Sequence, residues 1–242
     1  MSTNEHSLTT QNEFKQPIGF EIKNWTAKER PAQKPLAGAY CRLTPINLSS
    51  DLSALYNALT VNNDGASWTY LPYGPFNELA DFNSWLVSTL TREPDTQLYS
   101  IEKLNDPTPV GIIGYLRINP EHGVIEIGHV HFSKLLQKTA AATEAIFLMI
   151  NHALNDLGYR RCEWKCNSLN QASINTALRI GFKFEGTFRQ SNVFKSQNRD
   201  TSWFSIIDTE WPALATRIST WLDPSNFDAE GIQRVALQEL KG

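Results

Sequence analysis

Three short, strand-like runs follow one another in the middle of the chain, and they constrain the fold more than any other feature. They cover residues 97–103, 110–118 and 124–132, and the short turn sequences NDPTP and NPEHG join them. Runs joined by such short turns pair as antiparallel neighbours. A helical pattern over 142–157 follows and ends at Gly158, and another strand covers 162–167. This order predicts an α+β fold in which a meander leads through a helix to a further strand.

The flanking segments extend the same pattern. AYCRLTPI reads as a strand, helices are predicted after Ser49 or Ser50 and over about 77–90, and Asn170 is the predicted N-cap of a helix that stops at Gly181. Strands over 182–194 and 201–207 complete a mixed, mostly antiparallel seven-stranded sheet with helices on both faces. We therefore divide the chain into an N-terminal arm, a folded domain and a C-terminal helical tail, covering residues 1–35, 36–212 and 213–242.

Composition excludes several functional classes. The 22 basic and 25 acidic residues give a net charge of −3, which offers no broad basic field for a nucleic acid or an anionic membrane. No apolar run approaches the roughly 18–20 residues of a membrane helix, and the first residues are too polar for a secretory signal. We expect the three cysteines, Cys41, Cys162 and Cys166, to be free thiols. No histidines flank them at the spacing of zinc ligands. We expect a cytoplasmic protein without a metal site.

Small residues mark the start of the helix after the third run. Thr139, Ala140, Ala141 and Ala142 stand where backbone N–H groups at a helix N-terminus lack partners. These groups carry partial positive charge, and small side chains let a phosphate oxygen approach them. This segment has two possible interpretations: it binds an anion, or its alanines simply favour the start of a helix.

Several motifs together resemble those of the GNAT acetyltransferase superfamily. Gln137-Lys138-Thr139-Ala140-Ala141-Ala142 is similar to its pyrophosphate-binding signature, and Thr143-Glu144-Ala145 continues the likeness. Glu126-Ile127-Gly128, Asn170-Gln171-Ala172-Ser173 and Arg179-Ile180-Gly181-Phe182 resemble the branch that includes the RimJ and RimL N-terminal acetyltransferases. WTYLPYGPF and LGYRRCEWKCNSLN are similar to segments of uncharacterised bacterial and fungal members. The likeness covers roughly residues 36–212.

The resemblance implies acetyl-coenzyme A (acetyl-CoA) as co-substrate and a splay between the fourth and fifth strands, 124–132 and 162–167. Backbone groups near His131 and Phe132, together with Asn170, would hold the pantetheine arm in that gap. The diphosphate would lie on Gln137, Lys138, Thr139, Ala140, Ala141, Ala142 and Thr143. Ala140 replaces the usual glycine of the signature, which would weaken binding if the turn needs a positive φ there and would be harmless if the residue is helical.

Glu126, Asn170 and Ser173 are the candidate catalytic residues. Glu126 lies in an apolar stretch, where burial would make its carboxylate a usable proton acceptor, although a packing role through backbone hydrogen bonds is an alternative. His129 could relay a proton or be a buried core histidine. Strand alternation places His129 and His131 on the face opposite Glu126 unless a bulge resets the register. Ser173 could protonate the leaving thiolate or be a solvated helix-start serine.

The predicted activity is transfer of an acetyl group from acetyl-CoA to a primary amine by direct attack in a ternary complex. A small molecule or a peptide N-terminus could be the acceptor, and the protein could be a monomer or a homodimer. The alternative is a non-catalytic acyl-CoA sensor or subunit of the same fold, since the helix after Asn170 lacks the tyrosine that often donates a proton in this superfamily.

Overall fold

The computed structural model describes residues 9–60, 65–92 and 95–240. Five α-helices are distributed among the strands of this part of the chain, and α3 continues as a π-helical turn over His152–Asp156. The strands are β1 Thr9–Gln11, β2 Pro17–Gly19, β3 Leu36–Ala37, β4 Cys41–Pro45, β5 Gln97–Lys103, β6 Asp106–Asn119, β7 Val124–Phe132, β8 Arg161–Asn167, β9 Lys183–Phe194 and β10 Gln197–Ile207. The helices are α1 Leu48–Thr60, α2 Leu79–Arg92, α3 Ala140–Asn151, α4 Gln171–Ile180 and α5 Trp211–Trp221.

The main sheet confirms the predicted α+β architecture. Its order within the described residues is β3-β4-β5-β6-β7-β8-β10-β9, and every neighbouring pair is antiparallel except β7 and β8. The sheet therefore has eight strands rather than the seven expected. The additional strand is β3, which the sequence pattern missed because two residues are too short to show alternation.

Helices cover both faces of the sheet and create two apolar clusters. One lies under α3 and α5 and includes Ile125, Ile127, Met149 and Trp164. The other lies under α1 and α2 and includes Leu55, Leu86 and Ile112 together with Trp68 from the loop between those helices. Alternate residues of a strand face opposite sides, so β6 and β7 contribute to both surfaces.

The arm and the tail both contact the domain. In the arm, Trp25 Nε1 donates to the Glu121 carbonyl at 2.9 Å, and the Pro31 carbonyl accepts from Gln97 Nε2 at 2.8 Å. In the tail, Ile218, Trp221 and Leu237 are buried in the α3 cluster. The division of the chain at residues 35 and 212 stays a prediction.

Candidate active site

A gap opens in the sheet between β7 and β8. The two strands pair in parallel from Val124 opposite Arg161 to Ile127 opposite Trp164. Beyond this point β7 continues beside β6 to Phe132, and β8 continues beside β10 to Asn167. The expected splay is thus present, and it presents strand edges that an extended molecule can line.

A β-bulge at the gap places His131 on the same face as Glu126. Gly128 pairs with Gly114, and His131 pairs with Ile112. Two residues of β7, His129 and Val130, therefore lie opposite one residue of β6, Ile113. His129 takes a φ of 48°. The simple alternation considered above, with His131 on the face opposite Glu126, is therefore wrong, because the extra residue shifts the period by one.

Aromatic side chains from the α1–α2 loop cover the two histidines. Tyr73 Oη lies 2.7 Å from His129 Nδ1, and the two rings are stacked. His131 lies edge-on to Trp68, with ring centroids 4.0 Å apart, and its Nε2 is 3.1 Å from Ser67 Oγ. Burial lowers the pKa of His131 to about 4, so its imidazole is neutral at pH 7.

Glu126 is buried in an ion-pair network rather than in apolar surroundings. Its carboxylate accepts hydrogen bonds from Arg117 Nε at 2.6 Å and Nη2 at 2.5 Å, and Lys165 Nζ lies 2.8 Å from its Oε2. A second bulge, where Arg117 has a φ of 45°, brings that arginine to the face of Glu126. The expectation of an apolar environment is wrong, because both cations come from neighbouring strands.

The network continues along β8. Lys165 Nζ also lies 2.8 Å from Glu163 Oε2 and 3.7 Å from the ring centroid of Trp203. Burial by itself would raise the pKa of Glu163, but hydrogen bonds from Lys165 and Arg161 bring it below its ordinary value. Arg161 Nη1 and Nη2 also donate hydrogen bonds to the two carboxylate oxygens of Glu185, at 2.7 and 2.6 Å. Glu163 and Glu185 therefore share Arg161, whereas Glu126 is paired with Arg117 and Lys165.

The start of α3 is built as the sequence suggested. Thr139 is its N-cap, and its Oγ1 accepts from the Ala142 N–H at 3.2 Å and donates to the Leu136 carbonyl at 2.7 Å. Gln137 Nε2 donates to the carbonyl of Phe132 at 2.7 Å, which ties the turn to the end of β7. The positive φ of this turn falls on Lys138, at 62°, and Ala140 is the first helical residue. Ala140 therefore meets the condition under which the alanine is harmless.

Residues that follow in α3 are engaged within the protein. Thr143 Oγ1 accepts from Arg179 Nη1 at 2.9 Å. Glu144 is 4% exposed, and its carboxylate accepts backbone N–H bonds from Ala39, Tyr40 and Cys41 at 2.7, 2.7 and 2.8 Å. Sequence reasoning missed this anchor. Its one signal is a carboxylate inside an otherwise apolar helix without a neighbouring basic residue.

Asn170 and Ser173 lie at the start of α4, beside the splayed part of β8. Asn170 Oδ1 accepts from the Ser173 N–H at 3.1 Å, which confirms its capping role. Ser173 Oγ accepts from Trp164 Nε1 at 3.0 Å. Burial raises the pKa of the Cys166 thiol, and a hydrogen bond with Ser173 opposes that rise. The serine hydroxyl thus lies next to the gap.

A cavity of about 120 Å³ lies between the aromatic loop and the β9–β10 hairpin. Its walls come from the loop, the end of β8 and the hairpin, and they comprise Thr69, Tyr70, Leu71, Asn167, Phe194, Lys195, Gln197, Asn198 and Arg199. Lys195 Nζ donates to the Trp68 carbonyl at 2.8 Å and so joins the hairpin to the loop. The loop both packs on the histidines and supplies one wall of this cavity.

In the described ranges, no cluster of three or more histidine, cysteine or acidic side chains could hold a metal ion, and the three cysteines are buried and free. None of the helices in those ranges is long and apolar enough to cross a membrane.

Comparisons with known proteins agree with this geometry. Residues 41–183 match the family described as "Acetyltransferase (GNAT) domain". The crystal structure of a GCN5-related N-acetyltransferase from Brucella melitensis is 39% identical, has a TM-score of 0.87, and the match covers 90% of this chain and 98% of that one. The uncharacterized N-acetyltransferase p20 of Bacillus licheniformis is 25% identical over 148 residues, which are 59% of this chain and 80% of that protein.

The ribosomal-protein-serine acetyltransferase of Escherichia coli is 29% identical over 102 residues, which are 42% of this chain and 56% of that protein. The family match spans more than half of the chain, and the splayed strands and the capped α3 have the form expected from the sequence motifs. The chain belongs to the GNAT family of acetyltransferases, enzymes that use acetyl-CoA, and one of its relatives is named a ribosomal-protein-serine acetyltransferase.

Proposed function

We propose that this enzyme transfers the acetyl group of acetyl-CoA to a primary amine by direct attack in a ternary complex. The observation that carries the proposal is the gap between β7 and β8, which opens beside the capped start of α3. A gap between strands suits an extended pantetheine arm, and the N-terminus of a helix suits a diphosphate. Gln137 joins the turn before α3 to the end of β7, so one CoA molecule could place its pantetheine arm in the gap and its diphosphate at the helix start.

The N-terminal turn of α3 fits the diphosphate. The N–H groups of Ala140 and Ala141 belong to the first turn, where they have no partner within the helix, and their methyl groups leave the backbone accessible. Thr139 Oγ1 already serves Ala142, and Gln137 holds the turn against β7. In this proposal Lys138 and Thr143 complete the binding turn, while the backbone of His131 and Phe132 and the side chain of Asn170 line the pantetheine.

Acetyl-CoA supplies an activated thioester carbonyl for attack. A C–N bond forms to the amine as the C–S bond breaks, so the enzyme must remove a proton from the amine and return one to the thiolate. We assign proton removal to Glu126, directly or through one water. Arg117 and Lys165 hold its carboxylate in position.

Ser173 is the proposed proton donor to the thiolate. The indole Nε1 of Trp164 can only donate, so Ser173 Oγ must be the acceptor in that hydrogen bond. The hydroxyl proton is therefore directed away from Trp164, and Cys166 on the splayed strand is its neighbour. This arrangement supplies a donor in a site whose α4 helix carries no tyrosine.

An acceptor screen tests the activity. The protein is incubated with acetyl-CoA and a mixed panel of amines, and free thiol and product mass are followed against a control without protein. We expect thiol release together with one added acetyl group on an amine. CoA binding without either signal would favour the non-catalytic sensor, and absence of both binding and turnover would refute the proposed function.

A further inference from the structure

The cavity between the aromatic loop and the β9–β10 hairpin carries positive charge on its walls. Lys195 and Arg199 line it, and none of its lining residues is acidic. The other polar groups there are neutral, among them Asn167 and Asn198. An anionic group is therefore the natural occupant of this space, and its volume of about 120 Å³ suits a small group rather than a long chain.

Arg199 is the central feature of this cavity. Its guanidinium lies over the ring of Phe194, with Cζ 4.9 Å from the centroid, and its Nε is buried without a hydrogen-bond partner among the described residues. No carboxylate in the described part of the chain forms an ion pair with it, although Arg117, Arg161 and Lys165 all have one. A half-buried guanidinium without a direct ion-pair partner among the described residues can bind an anionic group.

Arg199 is also close to the proposed reaction centre. Arg199 stands two residues before Thr201, which pairs with Asn167 at the end of β8. Burial and the nearby Arg117 lower the pKa of Arg199, whereas the nearby Cys166 and Glu126 raise it. Cys166 lies on the splayed part of β8, and Glu126 lies where the gap begins. An acceptor that places its amine near Glu126 can therefore reach Arg199 with another group.

We propose that the acceptor is an amine that also carries a carboxylate, and that Arg199, assisted by Lys195, binds this carboxylate. The proposal rests on the proposed acetyl transfer and names the class of its acceptor. A polyamine or an aminoglycoside is disfavoured, because its remaining ammonium groups would face Lys195 and Arg199. The same chemistry is available from a free amino acid and from a peptide with an acidic first residue.

Two matched pairs of acceptors distinguish these sources. The first pair is β-alanine and β-alaninamide, and the second is a short peptide that begins with Glu and the same peptide beginning with Gln. We expect kcat/KM to favour the acid in at least one pair by roughly tenfold to a hundredfold, as expected for a charge-assisted hydrogen bond. The pair that shows the preference identifies the source.

Variants then connect the preference to the cavity. In Arg199→Gln the ratio of kcat/KM for acid and amide should fall toward unity, mainly through a higher KM for the acid, and Arg199→Lys should restore part of it. This comparison of ratios cancels the different basicities of the two amines. Arg189→Gln is the matched control, since Arg189 is exposed on the same hairpin outside the cavity, and it should leave the ratio unchanged. If Arg199→Gln does not fold, Lys195→Gln tests the same wall at an exposed position.

The outcomes separate the two proposals. Transfer to amines with no preference for the acid in either pair, or a preference that persists in Arg199→Gln, would overturn the acceptor class and leave the acetyltransferase intact. Absence of transfer to every amine would instead count against the proposed function.

Discussion

Glu144 offers a direct test of how the start of α3 is held in place. Its buried carboxylate receives three backbone N–H bonds from the segment that leads into β4, two of them on Oε2 and one on Oε1. Glu144→Gln keeps the shape but replaces one oxygen with a donor. At least one N–H then meets another donor, and the remaining bonds lose their charge assistance.

The expected cost follows from these bonds. Hydrogen bonds to a charged group contribute about 1.5–3 kcal/mol each, and a buried donor left unpaired costs about 1–3 kcal/mol. Glu144→Gln should therefore lower the free energy of unfolding by roughly 3–5 kcal/mol, a large share of the total for a domain of this size. Urea unfolding followed by tryptophan fluorescence measures this change. Glu121→Gln, at an exposed glutamate, is the control and should change stability by less than about 0.5 kcal/mol. A loss below about 1 kcal/mol for Glu144→Gln would show that the three bonds do not anchor the helix.

Two further predictions concern the face of the sheet that carries Glu126 and His131. The pKa of His131 is about 4 in the folded protein and near 6.5 when unfolded, so its contribution to stability is present above pH 6.5 and is lost as the pH falls toward 4. Roughly 2–3 kcal/mol should disappear between about pH 7 and about pH 4.5, and His131→Gln, compared with His122→Gln at an exposed site, should reduce this pH dependence in denaturant titrations. An unchanged pH dependence in His131→Gln would contradict the assignment. Glu126→Gln should lower kcat/KM by about a hundredfold or more while CoA affinity is maintained, whereas Glu163→Gln, which removes the other carboxylate on Lys165, should have little effect on kcat/KM in the same assay. Equal losses in both variants would mean that Glu126 acts only by holding Lys165.

The sequence predicted local features well where each depends on neighbouring residues. The meander, the Asn170 cap and the helix that begins among Thr139–Ala142 follow from periodicity and capping chemistry within short windows. The splay between β7 and β8 came from the motif resemblance and not from periodicity, because pairing between distant strands leaves no local trace.

The predictions failed where partners come from distant strands. Arg117 and Lys165 reach Glu126 from β6 and β8, and a bulge on β6 turns Arg117 to the required face. The bulge at His129 depends on register against β6, which alternation along β7 alone cannot reveal. Glu144 likewise binds backbone N–H groups about a hundred residues earlier in the chain. The cavity at Arg199 combines a loop, a strand end and a hairpin, and no single sequence segment contains it.

The central claim is that backbone N–H groups at the start of α3 bind the diphosphate of CoA, and calorimetric titration of CoA into one variant tests it most directly. Ala140 is the first helical residue, and Thr139 before it has a φ of −105° and a ψ of 163°, so a proline is compatible with both positions. Ala140→Pro removes one N–H donor without breaking the helix, and Ala140→Gly keeps that donor as the control. We predict that Ala140→Pro weakens CoA binding by about fivefold or more with unchanged helical content, and that Ala140→Gly binds like the original protein. Equal affinity in Ala140→Pro, or no measurable heat from the original protein at ~1 mM CoA, would contradict the claim.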